Sequence, residues 1–363
     1  MKIGIITWHK VNKYGTFWLC YAMQRYIEQR NHEAVLLDYT IKTSPKKNND
    51  SMLSINIINK IYQYIRNLTP NRISNKSVYK KKLQTFTHYR KKYLSYGNIC
   101  SESSDCDIVI IGSDQIFDCK YGYYDFQYGI GVPCENISAY APSFGEMTSD
   151  MMKNEDHKLQ IMNALNRFRI LTVRDNNSRD IVYKLIDKLP PIVIDPVLLY
   201  GFNEEKNKWS KKLVNEPYMV IYTWGGFTTG DEFIKQIKKL AKRNKLKKVS
   251  IGDRRPWCDI SFASATPIEF LMLFMHDNLV ITNMFHGTCF SILFNRPFYS
   301  ISMPHNKNKL DDLLIRFKLE NQLIYNLEQI DELCIPNIDY KLVNNRIEEA
   351  RKISSELFNK MLI

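Results

Sequence analysis

The stretch Asp107-Ile-Val-Ile-Ile-Gly-Ser-Asp114 joins a short apolar run to a glycine and two polar side chains. The run does not alternate polar and apolar residues, which is typical of a strand buried on both faces of a sheet. A similar run, Ile3-Gly-Ile-Ile-Thr7, is followed by a segment with a helical apolar face. Because helical segments separate such runs, we predict a parallel sheet. Its remaining strands are expected at residues 34–38, 137–141, 170–174 and 192–195.

A second series of apolar runs follows a polar stretch at residues 203–216. Thr266 and Pro267 are typical of a helix N-cap and first turn, and they predict a helix over residues 267–276. Another helical pattern covers residues 232–244. The strands of this series are expected at residues 218–222, 248–252, 279–282 and 298–301.

The length of 363 residues exceeds what one ordinary hydrophobic core contains. We therefore predict an α/β fold of two Rossmann-like, doubly wound domains that face each other across a cleft. The expected boundaries are 1–202 for the first domain, 203–216 for a linker, 217–340 for the second domain and 341–363 for a C-terminal helix. Ligands of such folds bind at the carboxyl ends of the strands.

The positive charge of the chain is concentrated in one segment. The formal net charge is +13, from 51 Lys and Arg against 38 Asp and Glu. Residues 41–100 contain 13 of these basic residues and a single acid, Asp50, so the rest of the chain is almost neutral. The basic character therefore belongs to a helical excursion of the first domain and not to the whole fold.

Several classes of protein are disfavoured by the composition. No apolar run reaches the roughly 18–20 residues that span a bilayer, and the N-terminus lacks the pattern of a secretory signal, so we expect a cytoplasmic protein. The eight cysteines form no C-x-x-C pair, and the histidines show no metal-ligand spacing. We expect free thiols and no metal site.

The strongest candidate for a functional residue is His286, in Asn283-Met-Phe-His-Gly-Thr288. This stretch lies between a strand and an apolar helix expected at residues 289–294. A histidine and the adjacent Gly287 at such a junction lie beside unpaired helix N–H groups, which bind anions.

Two other strand ends carry candidate residues. Gly15 precedes the first helix and allows backbone N–H groups to approach an anion, with Asn12 in the same loop; an ordinary strand-to-helix turn is the alternative. Ser113 and Asp114 follow the strand at 107–112. Asp114 is either a general acid, if burial raises its pKa, or the cap of the next helix.

Cations follow two further strands. Arg174 is either a ligand for a carboxylate or phosphate or the ion-pair partner of Asp175 or Asp195. Asp195, before Pro196, also suits a simple turn. A later strand is followed by His305, Lys307 and Lys309, which add positive charge at the same sheet edge.

Six motifs in this order resemble the polysaccharide pyruvyl transferase family. They are Asn12-Lys-Tyr-Gly15, Gly112-Ser-Asp-Gln115, Ser138-Ala-Tyr-Ala-Pro-Ser-Phe-Gly145, Val173-Arg-Asp175, Val193-Ile-Asp-Pro-Val-Leu-Leu199, and Phe285-His-Gly-Thr-Cys-Phe-Ser291 with Asn295-Arg-Pro-Phe298. The resemblance implies a fold like that of GT-B glycosyltransferases. It also implies phosphoenolpyruvate as donor substrate, no cofactor, and a cyclic pyruvate ketal on two hydroxyls of one sugar as product.

The resemblance also implies roles for individual residues. His286 matches the catalytic histidine of the family and Arg174 its donor-binding arginine, while Lys309, with Lys307 as the fallback, best fits a later basic residue. Asp114 or an unidentified carboxylate would assist His286. For the family's acidic residue in the second domain, three positions fit equally: Asp231, Glu232 and Asp253.

Two other functions remain open from the sequence. A GT-B-type glycosyltransferase would use a nucleotide sugar, and the chain has no nucleotide-binding motif. A nucleic-acid binder would explain the basic segment, but no nucleic-acid motif accompanies it, so we expect no such partner.

The basic segment suggests where the protein would encounter its sugar acceptor. Residues 52–68 have helical apolar spacing, and Lys80–Lys82 and Arg90–Lys92 flank another helical stretch. The segment is either a solvated excursion or a surface that rests on anionic lipid headgroups at the inner face of the cell membrane. In the second case the acceptor would be a polyprenyl-linked oligosaccharide.

Overall fold

The computed structural model describes residues 1–38, 71–99, 105–120, 122–153, 155–304 and 306–363, without the side chains of 71–76, 99 and 226–227. The helical spacing predicted at residues 52–68, the part of the basic segment at residues 41–70 and His305 lie outside the described residues.

The first sheet is built from five parallel strands in the order β3-β2-β1-β4-β5. Its central strands are the apolar runs singled out in the sequence. Ile3 pairs with Ala34 on one side and with Ile108 on the other, and all three are buried. The strands are β1 Lys2–Ile6, β2 Glu33–Asp38, β3 Tyr96–Ile99, β4 Ile108–Ile111 and β5 Ile137–Ala139.

The strands predicted at residues 170–174 and 192–195 are wrong as strands. Only single parallel bridges form there, between Ala139 and Leu171 and between Val173 and Ile192. Arg174 is followed at once by a helix, and Pro196 turns the chain into another helix directly after Asp195. Both segments are therefore too short for a ladder, although their residues still reach the edge of the sheet.

The second sheet contains six parallel strands in the order β11-β10-β9-β6-β7-β8. The four predicted strands are confirmed. The three strands of the structure that the sequence did not predict (β3, β8 and β11) are short edge strands, where one side needs no apolar partner. The strands are β6 Tyr218–Tyr222, β7 Lys247–Ile251, β8 Ile260–Phe262, β9 Leu279–Thr282, β10 Phe298–Ile301 and β11 Leu323–Ile324.

Helices cover both sheets, and this confirms the predicted pair of parallel α/β domains. Thr266 caps its helix through a reciprocal hydrogen-bond pair with Glu269, as its position in the sequence predicts. The helices are α1 Tyr14–Glu28, α2 Asn71–Tyr93, α3 Ser149–Lys153, α4 Lys158–Arg167, α5 Asn176–Ile186, α6 Pro196–Tyr200, α7 Asn203–Lys208, α8 Asp231–Arg243, α9 Pro267–His276, α10 Phe285–Leu293, α11 Lys307–Phe317 and α12 Tyr340–Met361.

Helix α1 lies between the two domains. The Tyr14 hydroxyl donates to the Ala265 carbonyl at 2.8 Å, and the Trp18 indole donates to the Pro267 carbonyl at 3.2 Å. The Tyr14 ring also stacks on Phe270, with ring centroids 4.8 Å apart. The N-terminus of α1 is therefore fixed against the second domain.

The polar stretch predicted as a linker is folded against α1. It contains α7, whose Glu205 is buried and accepts hydrogen bonds from the hydroxyls of Tyr21 and Tyr200. The expected division of the chain at residues 203–216 therefore falls in a packed segment.

The C-terminal helix α12 is confirmed, and it packs on the first domain. The buried Ser354 hydroxyl accepts a hydrogen bond from the Ile194 amide at 3.1 Å, and Phe358 meets the ring of Tyr140 edge-on at 4.8 Å. The first domain is thus built from two parts of the chain, one before and one after the second domain.

The described part of the basic segment, α2, bridges the two domains. Lys82 donates to the Gly252 carbonyl at 3.0 Å, and Arg90 donates to the Lys10 carbonyl at 3.1 Å. These two cations bind the protein itself, so the helix is not simply a solvated excursion. Among the described residues, no helix has the length and apolarity needed to cross a bilayer.

Candidate active site

A pocket of about 660 Å³ lies where the carboxyl ends of β1, β4, β6, β9 and β10 face each other. This is the place that the parallel topology predicts for a ligand. Both domains contribute to it. Its lining consists of Lys13, Gly15, Thr16, Asp114, Gln115, Tyr222, Trp224, Asn283, Met284, Phe285, His286, Asn306 and Lys309.

The helix predicted to begin at residue 289 begins at Phe285, four residues earlier. His286 therefore lies in the first turn of α10. No side chain caps α10, so its first N–H groups remain available at the pocket. Gly287 lets the helix approach the preceding strand, since a Cβ there would lie 2.4 Å from the Thr282 hydroxyl. Gly287 is therefore a positioning residue.

Gly15 makes room for the imidazole of His286. A Cβ at Gly15 would lie 2.4 Å from His286 Nδ1, so only glycine allows α1 and the histidine to come this close. Helix α1 also lacks a side-chain cap. The N-termini of α1 and α10 thus meet at His286, and their partial positive charges favour an anion there.

The buried carboxylate of Asp195 binds both Arg174 and His286. Its Oδ2 accepts a hydrogen bond from Arg174 Nη1 at 3.0 Å and lies 3.5 Å from His286 Nε2. Burial alone would raise the pKa of Asp195, but the charges of His286 and Arg174 outweigh it and lower that pKa to about 2. Asp195 therefore stays ionised and orients the imidazole.

Arg174 is nearly fully buried, and its guanidinium lies over the ring of Phe285 at 4.2 Å. The ion pair with Asp195, one of the two sequence interpretations, is present. It uses only part of the guanidinium, because Nε and Nη2 have no hydrogen-bond partner among the described residues. Burial would lower the pKa of Arg174, but Asp195, Asp114 and Asp175 raise it. A permanently charged group with unpaired donors is suited to bind an anion.

The loop that carries Asp114 is fixed by its neighbours. Gly112 has φ +137°, and a Cβ there would lie 2.1 Å from the Tyr140 carbonyl oxygen. The peptide bond from Gly112 to Ser113 is cis. The Ser113 hydroxyl is buried and donates to the Ala141 carbonyl at 2.9 Å. Ser113 therefore positions the loop and does not face the pocket with its hydroxyl.

The sequence raised a protonated Asp114 as one alternative, and its surroundings disfavour it. Burial would raise the pKa of Asp114, but the charges of Arg174, His286, Lys309 and Lys13 outweigh it, and the pKa is lowered. Arg174 Nη2 lies 3.8 Å from Asp114 Oδ1. No helix follows Asp114 directly, so it is not a helix cap either. An ionised carboxylate is suited to accept a proton or to stabilise a developing positive charge.

Lys309 reaches the pocket, and Lys307 does not. Lys309 Nζ donates to Gln115 Oε1 at 3.1 Å, across the cleft. Burial lowers the pKa of Lys309 to about 8, with Asp114 opposing this shift. The side chain of Lys307 is about half exposed and pairs with Asp311 one turn along α11. Of the two lysines, the structure therefore brings only Lys309 to the other cations.

The remaining candidates lie outside the pocket lining. Asn12 precedes Lys13, and its Oδ1 is buried without a hydrogen-bond partner in the described ranges. Asp231 and Glu232 are exposed in the first turn of α8. Asp253 pairs with Arg255 through two hydrogen bonds of 3.0 Å.

Several residues of the site were not assigned to it from the sequence, among them Lys13, Gln115, Asp195 and Phe285. Gln115 and Lys13 follow the ends of β4 and β1, so their place at strand ends was a usable signal. The contact of Asp195 with His286 joins positions 91 residues apart, and no local pattern shows it. In the described part of the chain, no cluster of three His, Cys, Asp or Glu side chains could hold a metal ion.

The family model described as polysaccharide pyruvyl transferase matches residues 14–305, most of the chain. The chain belongs to this family. None of the curated proteins matches the sequence. The region matched to the pyruvyl transferase family includes Gly15, Asp114, Arg174, Asp195 and His286, whereas Lys13, Asn306 and Lys309 of the pocket lie outside it.

Several solved structures are similar to this pyruvyl transferase family member at low identity. UDP-GlcNAc 2-epimerase from Methanocaldococcus jannaschii has a TM-score of 0.49 and 11% identity, over 99% of this chain and 100% of that one. UDP-GlcNAc 2-epimerase from Neisseria meningitidis has a TM-score of 0.47 and 11% identity, over 99% of this chain and 100% of that one. UGT89C1 of Arabidopsis thaliana, complexed with UDP-L-rhamnose, has a TM-score of 0.49 and 10% identity, over 100% of this chain and 99% of that one.

We expect Asp195 to make the stability of this family member sensitive to acid. Its pKa of about 2 lies below the roughly 3.9 of an unfolded chain, so its ionised form contributes roughly 2 kcal/mol of stability above pH ~4. That contribution is lost as the pH falls from about 4 through about 2. In Asp195→Asn, the free energy of unfolding in urea should fall at neutral pH and depend less on pH in this window.

The exposed Asp180→Asn provides the matched control, and it should keep the acid sensitivity of the wild type. The prediction fails if Asp195→Asn loses stability with acid as steeply as the wild type does.

Proposed function

We propose that the protein transfers pyruvate from phosphoenolpyruvate to two hydroxyls of one sugar, in a polysaccharide or its lipid-linked precursor. The products are a cyclic pyruvate ketal and phosphate. The observation that carries the proposal is the convergence of Arg174, Lys309 and two uncapped helix N-termini around His286. Family membership supports the same reaction class.

The charges of the site suit phosphoenolpyruvate, which carries a carboxylate and a phosphate. Arg174 offers Nε and Nη2, and Lys309 offers an ammonium group. The N–H groups at the start of α1 and α10 add donors without a net charge. These groups bind the donor substrate, and Phe285 under the guanidinium keeps Arg174 in place.

The reaction requires proton transfers that His286 and Asp114 can perform. A proton added to the methylene carbon of the donor makes the adjacent C2 electrophilic, and a sugar hydroxyl bonds to C2 while its proton goes to a base. The C2–O bond to phosphate then breaks, and the second hydroxyl closes the ring with loss of its proton. The two hydroxyl protons thus supply the new methyl group and the departing phosphate.

We assign the proton donor to His286 and the base to Asp114. Asp195 Oδ2 lies 3.5 Å from His286 Nε2 and holds the orientation of the imidazole. Asp114 is kept ionised by the surrounding cations, so it can accept the hydroxyl proton and stabilise positive charge at C2.

Incubation with phosphoenolpyruvate and candidate oligosaccharides tests the reaction. We expect phosphate release together with the added mass of a pyruvate ketal. His286→Ala should lower turnover by at least about 10²-fold, since general acid–base groups contribute that much, with an unchanged circular dichroism spectrum.

His88→Ala, an exposed histidine on α2, is the control and should keep full activity. Full activity of His286→Ala would contradict the assignment. Transfer from a nucleotide sugar without use of phosphoenolpyruvate would show the alternative, a glycosyltransferase.

Lys309 should set the alkaline limit of donor binding. Its ammonium form binds the anionic donor, and its pKa of about 8 means that this form is lost as the pH rises through 8. We expect kcat/KM for phosphoenolpyruvate to fall above pH ~8, and Lys309→Arg to move the fall to higher pH because arginine stays charged.

Lys307→Arg should behave as the wild type, since Lys307 lies outside the pocket. An unchanged alkaline limit in Lys309→Arg would contradict the role of Lys309.

We further propose that α2 rests on anionic lipid, which would hold the cleft near a lipid-linked acceptor at the membrane. Four of its lysines are exposed, while Lys82 and Arg90 bind protein carbonyls. About 1 kcal/mol per basic residue near an anionic surface supports a peripheral contact. The exposed lysines are Lys80, Lys81, Lys91 and Lys92.

Co-sedimentation with phosphatidylcholine vesicles, with and without phosphatidylglycerol, tests this contact. The anionic vesicles should bind the wild type, and replacing the four exposed α2 lysines by glutamate should abolish binding. Replacing four exposed lysines of the second domain by glutamate is the matched control and should leave binding unchanged; these are Lys238, Lys242, Lys245 and Lys247. Equal sedimentation with both kinds of vesicle would reject the lipid contact.

A further inference from the structure

Trp224 is an exposed aromatic residue at the wall of the pocket. It follows β6, lines the pocket beside Met284 and Asn283, and has 69% of its surface exposed. Among the five tryptophans it is the most exposed, since Trp18 and Trp209 are buried and the other two are partly buried. Aromatic side chains that line a pocket commonly contact its ligand, and the mostly exposed indole of Trp224 is accessible for such a contact.

The backbone of Trp224 is held in place by buried polar side chains. Asn283 accepts a hydrogen bond from the Trp224 amide at 2.8 Å and donates one to its carbonyl at 2.6 Å. Asn306 in turn donates to the Asn283 carbonyl at 2.6 Å, and Arg255 donates to the Thr223 carbonyl at 2.9 Å.

Asn283, Asn306 and Arg255 are each at most 4% exposed. Fixing these side chains costs conformational entropy, which their hydrogen bonds to the Trp224 loop offset. The backbone position from which the indole projects is therefore specified by the fold.

The chemistry around Trp224 differs from that around His286. The donor end of the pocket carries Lys309 and two helix N-termini, and Arg174 lines the smaller cavity beside it; all are suited to an anion. An indole face has a negative quadrupole and repels anions, but it attracts the slightly positive C–H groups of a pyranose ring. Phe285 and Lys309 line both this pocket and the smaller cavity that contains Arg174, whereas Trp224 lines only the wider pocket.

We infer that Trp224 is the stacking platform for the acceptor sugar, with the pyranose ring lying on the indole face and its hydroxyl pair directed toward the donor. This inference rests on the proposed function for the direction of the hydroxyls, but not for the binding of a sugar. The residue contacts substrate and takes no part in the proton transfers.

Acceptor kinetics test the platform. Trp224→Ala should raise the KM for the acceptor by roughly tenfold, the cost of a lost aromatic contact, and leave the KM for phosphoenolpyruvate unchanged. Trp224→Phe should restore most of the affinity because it keeps an aromatic face. Tyr183→Ala removes another exposed aromatic ring, on α5 and away from the pocket, and should change neither constant. An acceptor KM that stays the same in Trp224→Ala would overturn the inference.

Tryptophan fluorescence provides a test that does not depend on the transfer reaction. The probes are the methyl glycosides of glucose, galactose, mannose and N-acetylglucosamine. At least one should shift the emission of the wild type to shorter wavelength, because it covers the most exposed indole, and Trp224→Phe should abolish the shift. A shift that persists in Trp224→Phe, or no shift with any of the four glycosides, would overturn the inference. If the wild type binds a glycoside in this way but transfers no pyruvate, the proposed function fails and the platform stands.

Discussion

The carboxylate of Asp195 is the interaction on which the candidate site depends. It is buried, and it contacts two side chains from different domains, Arg174 in the first and His286 in the second. Removing Asp195 would take away the carboxylate nearest to the buried guanidinium of Arg174, and breaking a buried ion pair in this way costs several kcal/mol. The ion pairs therefore do more than stabilise the fold: they hold a guanidinium and an imidazole next to each other at a pocket that two helix N-termini also face. This concentration of positive charge is stable because the carboxylates of Asp195 and Asp114 lie within it.

The central parts of the fold follow from local sequence, and its edges do not. Strands such as β1 and β4 are buried on both faces, so every residue must be apolar and the pattern is easily read. The edge strands β3, β8 and β11 have one unpaired side and were not predicted. At residues 170–174 the opposite occurred: the apolar run was predicted as a strand, but Asp175 caps a helix directly behind it. Local hydrophobicity shows that a segment is buried. The number of its residues that pair as a β-strand depends on the residues that follow, which can start a helix.

The site itself shows a similar division. Arg174, Asp114, His286 and Lys309 were found because parallel strands bring their carboxyl ends to one edge. Their states could not be read from the sequence. Asp114 is surrounded by four cations that lower its pKa, and these come from four separate stretches of the chain. Gly15 was expected to let backbone N–H groups approach an anion. In the structure, the ring of His286 occupies the space where a Cβ at position 15 would lie. Such roles are set by contacts between distant residues, so they become visible only in three dimensions.

The contact of α12 with the first domain has a consequence for the order of folding. Ile194, the residue before Asp195, is held on one side by the Tyr140 hydroxyl and on the other by Ser354, which is made 160 residues later. During synthesis the strands of the first domain leave the ribosome early, but this backbone support for Asp195 is still missing. The second domain must leave the ribosome before α12 can pack into place. The backbone support of Asp195 is therefore completed late, after both domains have been synthesised.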